Sequence, residues 1–178
     1  MDFRLYTQND SQAIVLLFAS VFAKSEGEAE GTLIGQLAQN LFDKTDEHDL
    51  YCFIAVDEEQ IVGSIFFSRL AFERGIESFI LGPVAVHSDH QGQGIGQTLL
   101  KHGLSDLKSR GVSIVLTYGD PRFYRKVGFH PISPEKIHPP FALSQPEGWL
   151  GQSLSRDEIA TLSGQCTCVE ALSDPQYW

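Results

Sequence analysis

The chain has 178 residues, a length that favours one compact domain able to bury about 70% of its unfolded surface without disulfide staples. Lys and Arg number 13 against 23 Asp and Glu, a formal charge of −10, which excludes a non-specific nucleic-acid binder with its dominant basic surface. Hydrophobic content of 42% with 20% charged residues excludes wholesale disorder, and no apolar run approaches the roughly 20 residues of a membrane-spanning helix.

Residues 3–7 alternate and predict a short strand. Asp10 is placed as N-cap of a first helix, whose Ile14, Val15, Leu17, Phe18 and Val21 share one face. A glutamate-rich turn (Glu26, Glu28, Glu30) leads to a second helix carrying Leu33, Ile34, Leu37, Leu41 and Phe42. Residues 50–56 and 61–67 are dense apolar and aromatic runs around the polar turn Asp57-Glu58-Glu59-Gln60, the pattern of an antiparallel hairpin. Residues 79–86 form a third run, apolar on both faces, as a central strand requires. Residues 94–110 predict the clearest helix. Ile95, Leu99, Leu100, Leu104 and Leu107 make its buried stripe, Gly103 lies on the same side, and Gly111 ends it in a left-handed conformation. Residues 113–117 predict a strand, residues 121–126 a short helix begun by Pro121, and Gly128-Phe129 the start of another strand. Residues 131–151, rich in Pro and Gly, read mostly as loop, and residues 165–171 as a weak last strand. The order β-α-α-β-β-β-α-β-α-β, with a parallel and right-handed late crossover, predicts a mixed α/β sheet with helices on its faces.

Cys52, Cys166 and Cys168 are odd in number and sparse, unlike a secreted disulfide framework. The opening Met1-Asp2-Phe3-Arg4-Leu5-Tyr6 lacks a basic region followed by an apolar one, so no signal peptide is expected. The expectation is a reduced, cytoplasmic protein with neither membrane nor nucleic-acid partner. Cys166 and Cys168 lack a second paired cluster, so no metal is expected.

The chemistry concentrates in residues 81–96. An apolar strand, Leu81-Gly82-Pro83-Val84-Ala85-Val86, runs through His87-Ser88-Asp89-His90 into Gln91-Gly92-Gln93-Gly94-Ile95-Gly96 and directly into an amphipathic helix. Glycines let backbone N–H groups approach a ligand closely. The first N–H groups of a helix have no internal partner, and the helix dipole adds positive charge there. Together these make an anion site suited to phosphate. A Walker loop is excluded because Gly96 is followed by Gln97-Thr98. The dinucleotide fingerprint is excluded because Gly92, Gly94 and Gly96 are spaced by two throughout.

Gln91-x-x-Gly94-x-Gly96 after an apolar strand resembles the acyl-CoA-binding motif of GNAT-type N-acetyltransferases, whose strand order is also the one above. A second block, Tyr118-Gly119-Asp120-Pro121-Arg122-Phe123-Tyr124-Arg125-Lys126-Val127-Gly128-Phe129, is similar to a segment of the bacterial YhbS-like branch of that superfamily. The resemblance covers residues 3 to about 132 of a single domain spanning 1–178, with a C-terminal extension of about 133–178. It implies a mixed, mostly antiparallel central sheet with helices on both faces. It further implies an acetyl-CoA cosubstrate, its pyrophosphate held by backbone N–H groups of Gln91, Gly92, Gln93, Gly94, Ile95 and Gly96. Val84, Ala85 and Val86 would pair with the pantetheine arm, one strand N–H polarising the acyl carbonyl. Asp120, Pro121, Phe123 and Lys126 fall among the coenzyme-contacting positions. Tyr124 matches the tyrosine that protonates the leaving thiolate. Thiol and phenol pKa values of about 8.5 and about 10 lie close enough for that transfer.

Residues 88–130 carry six basic and three acidic side chains, a local +3 that suits a polyanionic coenzyme. Residues 26–59 carry ten acids against Lys44 alone. In similar proteins the loop between the first two helices lines the acceptor site. Glu26, Glu28 and Glu30 are therefore candidates to attract a cationic small-molecule or peptide amine. No Ser/His/Asp or Cys/His set stands at a defensible spacing, so no general base is assigned. Direct attack of the amine in a ternary complex is expected, because no cysteine is placed for an acyl-enzyme. The alternative is a non-catalytic acyl-CoA-binding or regulatory module on the same fold. Pro139-Pro140-Phe141 and Trp149 either close the acceptor pocket or make a homodimer contact. Trp178 is either exposed or docked on a neighbour.

Overall fold

The computed structural model describes residues 1–178, the side chain of Ser163 excepted. In chain order the elements are β1 (Asp2–Leu5), α1 (Ser11–Glu26), α2 (Glu28–Lys44), β2 (Leu50–Asp57), β3 (Gln60–Ala71), β4 (Ser78–Val86), α3 (Ile95–Ser109) and β5 (Ile114–Tyr118). There follow α4 (Pro121–Tyr124), β6 (His130–Pro131), β7 (Ile137–His138), β8 (Trp149–Ser153), β9 (Leu162–Gln165) and β10 (Thr167–Cys168). The result is a mixed α/β protein with a mostly antiparallel sheet. Among the described residues, no helix is long and apolar enough to cross a membrane. The chain divides into two compact units, Met1–Phe67 with Pro83–Gly103 and Ser68–Gly82 with Leu104–Trp178; β3, β4 and α3 pass through both.

In the first unit the strands stand in the order β1-β2-β3-β4. The turn between β2 and β3 has Glu58 and Glu59 at φ 45° and 67°. Two consecutive left-handed residues match the right-handed twist of the flanking strands, so they close a tight hairpin. α1 buries Ile14, Leu17, Phe18 and Val21, and α2 buries Ile34, Leu37, Ala38 and Leu41. Phe66 joins both helices to the sheet, with ring centroids 5.4 Å from Phe18 and 5.1 Å from Phe42. The two helices meet over small residues: a Cβ on Gly35 would stand 2.9 Å from that of Ala19. Ile95, Leu99 and Leu100 are buried along α3. Gly103 admits the aromatic ring of Phe67, which a Cβ there would meet at 2.8 Å.

In the second unit the order is β4-β5-β8-β6, with β10 antiparallel to the end of β3 and β7 paired parallel to β9. β4 and β5 run parallel, Ser78 to Leu81 facing Ile114 to Thr117; this is the crossover expected around the long helix. Gly111 at φ 85° follows that helix in the left-handed conformation.

Several expectations need correction. Asp10 stands at the N-cap position of α1, as expected, but its side chain makes no forward cap. It is already helical (φ −82°, ψ −17°) at the end of a 3-10 turn, Gln8–Asp10, that Thr7 opens in extended conformation. Its carboxylate turns back to accept from the Thr7 N–H at 2.6 Å, so helical structure begins three residues earlier. Residues 131–151 are mostly loop, as expected, but short strands interrupt them, and β8 begins inside them and pairs antiparallel with β5 from Trp149 to Ser153. Gly151 interrupts the apolar pattern there for a steric reason. A Cβ would meet Leu116 Cδ2 and Ile132 Cγ1, both at 2.9 Å. Residues 165–171 divide between the ends of β9 and β10 and a 3-10 turn, Glu170–Leu172. The strand after α4 has only two residues, because Gly128 at φ 94° first ends a 3-10 turn, Arg125–Val127. Trp178 is buried against its own chain. It stacks on Tyr118 at 6.5 Å, meets Trp149 edge-on at 6.2 Å and donates its indole N–H to the Leu172 carbonyl.

Candidate active site

The predicted site residues fall in both units. Val84, Ala85, Val86, the glycine loop and Glu26, Glu28 and Glu30 lie in the first; Asp120, Pro121, Phe123, Tyr124 and Lys126 lie in the second.

β4 changes character at its middle. Its ladder with β5 covers Ser78 to Leu81, yet the strand continues to Val86. Gly82, at φ 145°, and Pro83, which has no N–H to donate, follow the last paired residue. The end of β4 is held to β3 by the His87 N–H on the Val62 carbonyl at 2.8 Å. A 3-10 turn, Ser88–His90, then leads into the loop. Gly92 and Gly94 stand at φ 76° and 80°, conformations that a side chain would strain. The Gly94 carbonyl accepts the Thr98 N–H at 3.0 Å, so Gly94 serves as the cap of α3. The N–H groups of Ile95, Gly96 and Gln97 lie in the first turn, where helix geometry supplies no internal acceptor. Two glutamine side chains brace the loop. Gln91 Nε2 donates to the Val86 carbonyl at 2.9 Å and Gln93 Nε2 to the Asp89 carbonyl at 3.2 Å. That bracing role was not part of the sequence reading.

Glu26 ends α1, and Glu28 and Glu30 stand in the first turn of α2, where carboxylates complement the helix dipole. Gly27, at φ 105°, breaks the two helices apart between them. Lys24, one turn before that break, lies 3.9 Å from Asp89 of the turn before the glycine loop.

In the second unit Asp120 caps α4, accepting from the Arg122 N–H at 2.9 Å, and it also pairs with the Arg122 guanidinium. That guanidinium and the cap hold its carboxyl below the usual range. Pro121 opens the helix and Lys126 is exposed. Phe123 meets Tyr124 edge-on at 5.1 Å, and Phe129 meets it from another side at 5.7 Å. Tyr124 is only 9% exposed. Burial pushes its phenol above the ordinary value, while a hydrogen bond to the Thr117 side chain works the other way. Thr117, fully buried in β5, donates its only hydroxyl proton to the Leu81 carbonyl at 2.9 Å. Thr117 was read only as a strand residue. Its signal was a hydroxyl closing the apolar run Ile114-Val115-Leu116 in a core strand.

All three cysteines are free thiols. Burial pushes Cys52 and Cys166 up to about 12, and a protonated thiol is a poor nucleophile.

Residues 48–131 match the acetyltransferase (GNAT) domain. The chain is 29% identical over 140 residues to the uncharacterized N-acetyltransferase YjhQ of Escherichia coli, covering 75% of this chain and 77% of YjhQ. It is 30% identical over 105 residues to YhbS of the same organism, 58% of this chain and 60% of YhbS. The chain thus carries an acetyltransferase (GNAT) domain and is homologous to the N-acetyltransferases YjhQ and YhbS. Solved GNAT structures share its fold. The crystal structure of Escherichia coli YhbS in complex with CoA matches with a TM-score of 0.78 at 22% identity, over 97% of this chain and 92% of that one. A GNAT acetyltransferase from Brucella melitensis in complex with acetyl-CoA matches with a TM-score of 0.72 at 21% identity, over 97% and 96%. The first holds CoA and the second acetyl-CoA; at these identities their likeness to the present chain is one of fold.

Proposed function

We propose that this acetyltransferase transfers the acetyl group of acetyl-CoA to a primary amine by direct attack within a ternary complex. The observation that carries the reading is the glycine loop. It turns through left-handed backbone at Gly92 and Gly94 and delivers first-turn N–H groups at the start of α3, the arrangement that binds a pyrophosphate. In this reading Val84, Ala85 and Val86 pair with the pantetheine arm beyond the point where β4 leaves its ladder with β5. A strand N–H holds the carbonyl oxygen as negative charge develops there. The amine lone pair attacks the carbonyl carbon, the carbon–sulfur bond breaks, and the thiolate takes the phenolic proton of Tyr124. The amine's surplus proton leaves through water. Burial keeps the Tyr124 phenol protonated at neutral pH, the state a general acid needs. The raised thiols of Cys52 and Cys166 favour direct attack over an acyl-enzyme. Asp120, Pro121, Phe123 and Lys126 flank the coenzyme, with Lys126 supplying positive charge. The carboxylates of Glu26, Glu28 and Glu30 draw a cationic small-molecule or peptide amine. Free thiols fit work in the reducing cytoplasm.

Calorimetric titration of acetyl-CoA, with ATP as control, tests the coenzyme assignment, and thiol release across an amine library tests the reaction. Micromolar, acetyl-CoA-selective binding with release on at least one amine is expected. Equal binding of ATP overturns the coenzyme assignment, and selective binding without release on any amine favours a non-catalytic acyl-CoA module.

A further inference from the structure

The turn before the glycine loop is capped by an imidazole. His87 holds the N-cap position of the 3-10 turn Ser88–His90 in non-helical backbone (φ −50°, ψ 136°), and its Nδ1 accepts the Asp89 N–H at 3.3 Å. Ser, Thr, Asp and Asn usually fill this place. The backbone of His87 is fixed on both sides: its N–H donates to the Val62 carbonyl of β3 at 2.8 Å, and its carbonyl accepts the His90 N–H at 2.9 Å. The turn hands its geometry on to the loop. The Gln91 N–H donates to the Ser88 carbonyl at 3.4 Å, and the Gln93 side chain donates to the Asp89 carbonyl at 3.2 Å. The peptide unit whose N–H the imidazole caps therefore belongs to the residue whose carbonyl holds Gln93, between the left-handed Gly92 and Gly94.

An imidazole that accepts at Nδ1 carries its proton on Nε2. The Asp89 carboxylate stands 4.0 Å from that Nδ1, too far for a hydrogen bond, and 3.9 Å from the Lys24 ammonium of α1. His90 meets the His87 ring edge-on, with centroids 5.8 Å apart.

We propose that His87 is a positioning residue for the coenzyme, its imidazole capping the turn that sets the glycine loop and acting through the backbone rather than by touching the phosphates. The inference rests on the reading of that loop as the pyrophosphate site. A loop that spends less time in its binding shape binds its ligand less tightly in the same proportion. Loss of the cap acts on that population, whereas loss of a phosphate contact acts on the ligand itself. Asparagine and serine carry no imidazole, yet each has a side-chain oxygen of the kind that caps; alanine has none.

The test titrates acetyl-CoA by calorimetry into the parent chain and into His87→Ala, His87→Asn and His87→Ser, and follows amide hydrogen exchange over residues 89–94 in the four free proteins. No amine acceptor is needed. His87→Ala is expected to weaken acetyl-CoA binding by about three- to tenfold, the usual worth of a cap, and to speed exchange in the turn and loop while the strands exchange as before. His87→Asn and His87→Ser are expected to stay within about twofold of the parent in both measurements. An alanine variant that binds and exchanges like the parent overturns the proposal. So do asparagine and serine variants that bind as weakly as alanine while exchanging like the parent, the pattern of an imidazole that contacts the ligand directly. Failure of the coenzyme reading shows separately, as a parent that binds no acetyl-CoA while the four exchange patterns differ as expected.

Discussion

Gly119 makes room for the ring of Tyr124. A Cβ built on Gly119 would stand 2.7 Å from Tyr124 Cε2, inside any tolerable carbon–carbon contact, and the ring is confined on other sides by Phe123 and Phe129. Gly119→Ala must therefore shift the ring or the strand end. Turnover is expected to fall by about 10- to 100-fold, the cost of misplacing a reacting group by about 1 Å. Acetyl-CoA affinity, measured by calorimetry, should stay within about twofold, because the glycine loop is untouched.

Tyr124→Phe removes only the hydroxyl. Loss of the general acid predicts a fall in thiol release of about 100-fold or more, with coenzyme affinity retained. Turnover equal to wild type where chemistry limits the rate would remove Tyr124 from the mechanism.

Gly94 stands at φ 80° beside the start of α3. Gly94→Asp adds strain of about 1–2 kcal/mol and sets a carboxylate at the proposed pyrophosphate site. A loss of acetyl-CoA affinity of at least about tenfold is expected by calorimetry, since close like charges cost more than 1 kcal/mol. Gly94→Asn tolerates the left-handed backbone better and carries no charge, so it should bind more tightly than the aspartate. Equal affinities of the two variants would mean that charge at this position does not matter.

Arg4 grips Asp10 with two guanidinium nitrogens, at 2.8 and 3.1 Å, and the Thr7 N–H adds a third donor. This holds the Asp10 carboxyl down at about 2. The unfolded chain binds that proton more readily, so the stabilisation is fully present above about pH 4 and fades as the pH falls through about 2. Asp10→Asn should cost about 1 kcal/mol near neutral pH, discounted because Arg4 is partly exposed. Thermal melting of both proteins between pH 7 and pH 2.5 should show the gap narrowing with acid; a constant gap would exclude the ion pair as its source.

Much of the candidate site could be read along the chain because it is local. Gln91, Gly92, Gly94 and Gly96 are consecutive with the strand before them and the helix after, and their spacing alone announces close backbone approach at a helix start. The buried stripe of α3, the hairpin at Glu58-Glu59 and the parallel β4–β5 crossover were legible for the same reason: hydrophobic period and turn chemistry act over a few residues. Asp10 shows the limit even at short range. Its carboxylate could cap forward or turn back, and Arg4, across the chain's first turn, drew it back.

By itself the sequence determined the order of the early elements and the run of strand, glycine loop and helix, since each depends on contiguous residues. Only the tertiary structure decided the rest. β8 exists because β5 offers it a ladder, and the Gly151 that weakens its pattern is required by Leu116 and Ile132 lying 2.9 Å from its missing side chain. Trp178 is buried because Tyr118, Phe141 and Trp149 surround it. Thr117 donates to Leu81, a carbonyl 36 residues earlier in the chain, because β5 lies parallel beside β4. Hydrogen bonds and close contacts between distant segments leave no periodic trace in sequence, so folding must bring the partners together before their pairing can be seen.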